Sequence, residues 1–144
     1  MIAIQFKNRI VGGLILLLSM LILNSSCNKD KLDIQTNFPF ELSVMPIPKG
    51  VAKGKTVEIR MTIKPSGNYQ GTEYFIRYFQ FDGTGTLRYW HEAPYEPNDL
   101  YLLADKEFRL YYTSASTVSQ SFDIWVSDNF GNEQQMSFQF NNID

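Results

Sequence analysis

The chain has 144 residues, of which 13 are basic and 15 are acidic, so its formal net charge is −2. It contains one cysteine and one histidine, which excludes an internal disulfide and a zinc site built from several Cys or His ligands. The absence of a long basic run argues against nucleic acid as a direct partner, because binding to phosphate is largely cationic in origin.

The first 26 residues have the pattern of an export signal. Lys7 and Arg9 precede an apolar run of 14 residues, Ile10 to Leu23. A membrane-spanning helix needs about 20 such residues, whereas a shorter run with a basic front and small residues at its end is typical of a cleaved signal. The sequence therefore predicts a signal peptide at residues 1–26. Its removal leaves 11 basic and 15 acidic residues, a net charge of −4.

The only cysteine follows this segment directly. The run Asn24-Ser25-Ser26-Cys27 resembles a bacterial lipobox, although that motif expects Leu three residues before the cysteine, where this chain has Asn24. Acylation would account for the unpaired thiol, and several acyl chains hold a protein to a membrane far more firmly than one does. We predict lipid attachment at Cys27; an uncleaved anchor helix with an incidental cysteine is the alternative.

Residues 27–37 are predicted to be the lipidated cysteine and a flexible tether. The segment from Asn28 to Asn37 is polar, with Leu32 and Ile34 as its only large apolar residues, and fully extended it reaches about 33 Å. Its start, Asn28-Lys29-Asp30, resembles the lysine-plus-acidic signals of some surface lipoproteins of Gram-negative anaerobes. We therefore expect an outer-membrane lipoprotein that faces either the periplasm or the cell surface.

Residues 38–144 show the alternation of apolar and polar residues that is typical of β-strands. The clearest case is TVEIRMTI at 56–63, which places Val57 and Ile59 on one face and Glu58 and Arg60 on the other. Strands are expected at 40–44, 56–63, 74–81, 86–90, 100–103, 107–113 and 121–127, and around Met136 to Phe140. The segment 82–85 is predicted to be a hairpin loop, and 128–132 a turn in which Gly131 adopts a positive φ.

This pattern predicts an all-β fold, an immunoglobulin-like β-sandwich of about seven strands without a disulfide, in a domain of residues 38–144. An eight-stranded barrel is the alternative. The loop that contains Pro94 and Pro97 favours the sandwich, because it interrupts the regular hairpins of a barrel and indicates a crossing between sheets.

The sequence contains no catalytic constellation. His91 is the only histidine, and no nucleophile and orienting carboxylate accompany it in a recognisable pattern. Glu92, Glu96 and Asp99 offer the oxygen ligands that calcium prefers, but their spacing does not match a calcium loop. We expect no enzymatic activity, no metal and no other cofactor.

Aromatic residues make up 15% of the chain, more than one buried face accommodates. In YFIRYFQF at 74–81, Phe75, Phe79 and Phe81 fall on the face opposite Tyr74, Ile76 and Tyr78. Aromatic residues outside a core are typical of contact surfaces, although packing under loops or in cross-strand pairs is the alternative. The residues predicted to bind a partner are Arg77, Phe79, Tyr111 and Trp125.

Several short phrases carry a family resemblance: FPF at 38–40, MPIPK at 45–49, IRYFQ at 76–80, RLYYTS at 109–114 and DNFG at 128–131. In combination they make the chain similar to the TraQ-type lipoproteins of conjugative transposons. The resemblance implies an immunoglobulin-like lipoprotein of the conjugation apparatus, whose partners are other conjugative transfer proteins, and it implies no catalytic residues.

Two functions follow as expectations. The first is a non-enzymatic, lipid-anchored accessory protein of the conjugative transfer apparatus that docks to other proteins at the cell envelope. The second is a surface lipoprotein that binds a glycan or cell-wall fragment by stacking sugars on aromatic rings, for which Arg77, Trp90, Tyr95 and Asp99 offer suitable groups.

Overall fold

Alternating apolar residues form β-strands throughout the part of the chain that the computed structural model describes, residues 33–144, in which residues 35–144 make up one unit. The strands are β1 (Phe40–Val44), β2 (Gly50–Val51), β3 (Thr56–Pro65), β4 (Tyr74–Asp82), β5 (Gly85–Tyr89), β6 (Tyr101–Leu103), β7 (Glu107–Ser114), β8 (Gln120–Asp128) and β9 (Glu133–Asn142). Within residues 33–144 there is no helix long and apolar enough to cross a membrane.

The strands form two sheets. One has the order β1-β3-β7-β5 and the other β2-β9-β8-β4-β6, and all pairs are antiparallel except β2 with β9. The orders β1-β3-β7-β5 and β9-β8-β4 are those of the A-B-E-D and G-F-C sheets of an immunoglobulin constant-type domain. The predicted all-β sandwich is therefore confirmed, with two short edge strands, β2 and β6, added to its seven main strands.

The core lies between the sheets and is rich in aromatic rings. Tyr112 of the four-stranded sheet stacks on Phe122 of the five-stranded sheet, with ring centres 4.6 Å apart. Phe40 and Tyr74 make a second contact between the sheets, edge to face at 5.3 Å. Because each fully buried large apolar side chain contributes roughly 1.5–3 kcal/mol, such a core stabilises the sandwich without a disulfide.

Three details predicted from the sequence are confirmed. β1 ends before Pro46, which cannot donate to a strand ladder. The β8–β9 hairpin turns through Gly131 at φ 90°, while the Asp128 carboxylate accepts hydrogen bonds from the backbone N–H groups of Phe130 and Asn132, both at 2.9 Å. The segment after β5 crosses to β6 in the other sheet.

The prediction of a hairpin at 82–85 is wrong. β4 and β5 follow each other closely in the chain but belong to different sheets, where β4 pairs with β6 and β8 and β5 pairs with β7. Gly83 at φ 69° turns the chain from one sheet to the other. A glycine at positive φ occurs both in hairpin turns and in crossings between sheets, so the local sequence does not distinguish these two connections.

Two boundaries also differ from the prediction. Trp90 was expected to end a strand, but β5 ends at Tyr89 and Trp90 adopts φ 45° in the following turn. The two-residue strand β2 was not expected, because Gly50–Val51 is too short to show alternation.

The predicted signal peptide at 1–26 and the predicted lipid-attachment residue Cys27 lie outside the described residues and stay predictions. Of the predicted tether, residues 33–37 are described, and they contain neither helix nor strand.

Candidate docking surface

The outer side of the five-stranded sheet carries a continuous group of aromatic and apolar side chains. In β4 the buried residues Tyr74, Ile76 and Tyr78 alternate with residues that point away from the core. The neighbouring strands β6 and β8 each add one large outward side chain, Leu102 and Trp125. We call this group the aromatic face; its members are Phe75, Arg77, Phe79, Phe81, Leu102 and Trp125.

Arg77 and Trp125 form the centre of the aromatic face. They are directly opposite each other in the β4–β8 pairing, and the Arg77 guanidinium carbon lies 4.3 Å from the centre of the Trp125 ring. The Arg77 Nη1 also donates a hydrogen bond of 3.4 Å to Asn98 Oδ1. The guanidinium is therefore held over the ring, in a cation–π contact worth about 0.5–1 kcal/mol at such partly exposed sites.

A β-bulge determines how far the aromatic face extends. In the β4–β8 register Gln80 pairs with Phe122 and Asp82 with Ser121, so Phe81 is an extra residue without a partner in β8. Its ring packs edge to face on Phe79, with centres 5.0 Å apart, and 57% of Phe81 stays exposed. Bulges re-aim side chains and are common beside functional sites; here the bulge presents an apolar ring to solvent.

Polar groups border the aromatic face. Gln135 Nε2 donates to Asp123 Oδ2 at 2.6 Å, and Ser121 Oγ donates to Asp82 Oδ2 at 2.6 Å. An apolar and aromatic centre with a polar rim is the usual composition of a protein–protein interface. The arrangement suits docking of another protein through burial of the rings.

The structure brings three of the four predicted partner-binding residues together and separates the fourth. Arg77, Phe79 and Trp125 share the aromatic face, whereas Tyr111 lies on the outer side of the four-stranded sheet, paired with Glu58 and Arg88. The ring of the exposed His91 stacks near Tyr111, with centres 6.3 Å apart. The alternation in β7 predicts that Tyr111 is outward, but not to which sheet it belongs.

The residues considered for a glycan site do not form one surface. Tyr95 is only 7% exposed and stacks on Tyr101 at 4.3 Å, so its ring belongs to the core. Trp90 lies beside Arg109 on the four-stranded sheet, with the guanidinium 5.3 Å from the ring centre, while Arg77 is on the other sheet. Stacking of a single sugar on this set is therefore not supported.

The titratable groups of residues 33–144 do not form a cluster of metal ligands. Within residues 33–144 no group of three or more His, Cys, Asp or Glu side chains is placed to hold a metal ion. Burial raises the pKa of Tyr78 and Tyr95 and keeps their hydroxyls protonated. The pKa of Glu58 is lowered chiefly by its hydrogen bond from Arg60. These shifts move the groups away from the neutral range in which a general acid or base works.

Sequence reasoning missed Leu102, which is 61% exposed and pairs with Phe75. A signal was present, because residues 100–103 were expected to form a short strand, and Leu102 is an apolar residue within it. What the sequence lacked was the pairing of that strand with β4.

Comparisons with known proteins agree on one family. The sequence model of the family described as TraQ conjugal transfer protein matches residues 10–143. None of the curated proteins matches the chain.

Three solved structures are similar to this chain. A conjugative transposon lipoprotein from Bacteroides eggerthii DSM 20697 is 48% identical, with 74% of this chain and 100% of that chain covered and a TM-score of 0.69. A lipoprotein from Bacteroides thetaiotaomicron is 49% identical, covering 80% and 88% respectively, with a TM-score of 0.67. A conjugate transposon protein from Bacteroides vulgatus is 48% identical, covering 79% and 93%, with a TM-score of 0.66.

Proposed function

Because this chain belongs to the TraQ conjugal transfer protein family, we propose that it is a non-enzymatic, lipid-anchored accessory protein of the conjugative transfer apparatus of a conjugative transposon. It acts by docking another transfer protein at the cell envelope through the aromatic face. The observation that carries the docking role is the outward cluster around the half-buried Arg77–Trp125 pair, with Phe81 presented to solvent by a bulge.

The sequence and the similar solved proteins support a lipid anchor at Cys27. Cys27 follows a lipobox-like run after an apolar segment with a basic front, and two similar proteins are described as lipoproteins. Lipid on Cys27 would place the domain at the outer membrane, facing the periplasm or the cell surface. Docking to a partner at the same membrane needs less affinity per contact, because the anchor raises the local concentration of this protein there.

The aromatic face has the chemistry of an interaction surface. Aromatic and Arg side chains bury much area on binding and are enriched among the residues that dominate interface energies. Phe81 and Leu102 are 57% and 61% exposed, so a partner that covers them removes apolar surface from water. At about 25 cal/mol per Å² this burial favours association.

The test measures which proteins are captured and how often conjugation occurs, in cells that carry the complete conjugative transposon. The tagged full-length protein is cross-linked in donor cells, and retained proteins are identified by mass spectrometry, alongside the transfer frequency. We expect Phe81→Ser and Arg77→Ala to lose a transfer protein that the wild type retains, and to lower transfer at least tenfold.

A matched control is available in Ile143→Ser. Ile143 is 65% exposed but follows β9 and lies beside Gly50 of the edge strand β2, outside the strands that carry the aromatic face. It should retain the partner and normal transfer. An unchanged transfer frequency after deletion of the gene would contradict the role in conjugation. Unchanged capture of the partner by Phe81→Ser and Arg77→Ala would contradict docking through the aromatic face.

A further inference from the structure

The strand β6 forms an open edge of the five-stranded sheet. It pairs with β4 on one side, and within residues 33–144 no strand pairs with its other side. Leu100 and Leu102, at this edge, are 60% and 61% exposed. Leu102 lies opposite Phe75 in the β4–β6 register, so β6 continues the aromatic face as far as the edge of the sheet.

The hydrogen bonds of β4 show which backbone groups of β6 are free. In an antiparallel ladder, successive residues point their N–H and C=O groups alternately to one neighbouring strand and to the other. Glu73 O accepts from Asn129 N at 3.2 Å, on the β8 side. Tyr78 O accepts from Asn98 N at 2.8 Å, on the β6 side. Between residues 73 and 78 the odd-numbered residues therefore bond toward β8, and the even-numbered residues bond toward β6.

Leu102 consequently points its backbone N–H and C=O toward the open side. Its partner Phe75 is an odd-numbered residue that bonds toward β8, so Phe75 and Leu102 are a non-hydrogen-bonded pair. Leu100 and Ala104 follow the same alternation, two residues to either side. Among the turn and loop hydrogen bonds of the described residues, none uses the backbone of Leu100, Leu102 or Ala104.

The edges of the four-stranded sheet are protected against an added strand, whereas the β6 edge is not. At β5, Leu87 O accepts from Tyr95 N at 2.7 Å, so the following loop covers that edge. Pro39 and Pro46 flank β1. Proline, lysine and bulges are the usual protection of an edge strand, and residues 100–104 contain neither proline nor lysine.

The ends of β6 are acidic. Asp99 and Asp105 flank the run of residues 100–104, and both are exposed. A cavity of about 230 Å³ beside the strand is lined by two carboxylates, those of Glu73 and Asp105, and by one cation, Lys106. The open edge therefore lies in a surface with an excess of negative charge.

We infer that β6 accepts a strand from the docked partner, an extended apolar segment with a basic residue at each end. Backbone groups of that segment bond to the N–H and C=O of Leu102 and extend the five-stranded sheet by one strand. Its outward side chains continue the row of Phe75 and Leu102, and its basic ends lie near Asp99 and Asp105. At about 3.3 Å per residue, the edge takes a segment of about five residues.

A second copy of this chain fits the β6 edge less well than such a partner. Antiparallel pairing of two β6 strands about Leu102 places Asp99 of one copy opposite Asp105 of the other, and parallel pairing in register places each carboxylate beside its own counterpart. Asp105 keeps its charge, because its hydrogen bond of 3.1 Å comes from the neutral hydroxyl of Tyr89. Like charges opposite each other destabilise a strand pair.

The inference deepens the proposed docking function, and it rests on that function only for the identity of the partner as a transfer protein. Strand addition at β6 is a separate property of the domain. A peptide probe measures it without any knowledge of the partner.

The probe is a peptide of six alternating threonine and valine residues between two lysines. One control has N-methyl groups on the six central residues, and the other has glutamates in place of the lysines. Amide NMR follows binding to the isotope-labelled full-length protein in detergent. At saturation the probe should slow hydrogen exchange of the Leu102 N–H at least tenfold. The N-methylated control should not bind, and the glutamate control should bind at least fivefold more weakly.

Leu102→Pro removes the N–H that points to the open edge. It spares the ladder with β4, since edge strands tolerate proline where the N–H side faces solvent. Leu102→Thr is the matched control, because it also shortens the side chain but keeps the N–H. We expect Leu102→Pro to lose probe binding and Leu102→Thr to stay within about threefold of wild type, with similar urea midpoints. If Leu102→Pro does not fold, the N-methylated peptide still tests the same hydrogen bonds from the ligand side.

Several outcomes contradict strand addition at β6. They are equal binding of the probe and its N-methylated control, full binding by a folded Leu102→Pro protein, and protection of the Leu102 N–H by self-association without the probe. The last outcome would assign the edge to a second copy.

The capture experiment in donor cells separates this inference from the docking function. Leu102→Pro should lose the partner that Leu102→Thr still retains. Probe binding without any captured transfer protein would contradict the proposed function and leave the β6 site in place. Capture that needs Phe81 but not the N–H of Leu102 would contradict strand addition and leave docking through the aromatic face in place.

Discussion

The guanidinium of Arg77 lies over the ring of Trp125, 4.3 Å from its centre, and the two residues face each other across β4 and β8. The contact holds two large side chains in one orientation on an otherwise open sheet surface. A partner therefore meets a surface that is already ordered, which lowers the entropic cost of binding.

The Arg77–Trp125 contact should appear as a coupling energy. We predict that Arg77→Ala and Trp125→Ala in a double-mutant cycle show about 0.5–1 kcal/mol of coupling in urea unfolding. The cation–π contact is lost in either single variant, so the second substitution costs less once the first is present. A coupling indistinguishable from zero would show that the geometry contributes nothing to stability.

The buried hydroxyl of Tyr112 supports a second prediction. It donates to Gln120 Oε1 at 2.6 Å and accepts from Gln80 Nε2 at 2.8 Å, while the buried Gln120 Nε2 has no partner among the described residues. Tyr112→Phe leaves both polar atoms of the Gln120 amide unpaired, so the free energy of unfolding should fall by about 1–3 kcal/mol.

A compensating substitution checks that explanation. Gln120→Met in the Tyr112→Phe protein removes the unpaired amide and should recover at least half of the lost stability in urea unfolding. If the two substitutions instead add their separate costs, the unpaired amide is not the cause of the Tyr112→Phe effect.

Gly67 lies close to the ring of Phe38. The effect of Gly67→Ala on the free energy of unfolding should therefore depend on whether that ring is present. A Cβ atom at Gly67 would overlap two ring carbons of Phe38, so the ring must move. Gly67→Ala should therefore lower the free energy of unfolding by about 1–2 kcal/mol, the range for overpacking.

A Phe38→Ala protein lacks the three ring carbons nearest to the added Cβ, and the φ of Gly67 is not in the left-handed region. There Gly67→Ala should be neutral or stabilise by about 0.4–1 kcal/mol, because it reduces the freedom of the unfolded chain. Urea unfolding of the four proteins measures both effects, and an equal cost in both backgrounds argues against the contact.

Glu58 should make stability depend on pH in the acid range. The hydrogen bond from Arg60, with the nearby charge of Arg109, lowers the pKa of Glu58 below its ordinary value of 4.5. A lowered folded pKa gives stability that is present above the ordinary value and is lost as the pH falls through the folded value.

The urea midpoints of wild type and Glu58→Gln should therefore differ most above about pH 5 and converge as the pH is lowered toward about 3. In an Arg60→Gln background the pH-dependent part of the difference should shrink, since the main partner is gone. A difference that stays constant across this range would show that Glu58 has no favoured ionised state in the fold.

The sequence by itself determined where most strands lie and which face of each strand is buried. Alternation in β3 and β8 predicted the inward set that includes Ile59 and Ile124, both 0% exposed. It also predicted that Arg77 and Trp125 point outward. This succeeds because side-chain direction in a strand follows a local period of two residues.

The tertiary structure alone decided which strands are neighbours and in what register. It placed β5 in a different sheet from β4, put Tyr111 and Arg77 on different sheets, and set Arg60 directly opposite Arg109. Backbone hydrogen bonds form equally well between any two compatible strands, so local pattern does not encode the partner. The pairing follows from filling one core between two twisted sheets, which depends on the whole chain at once.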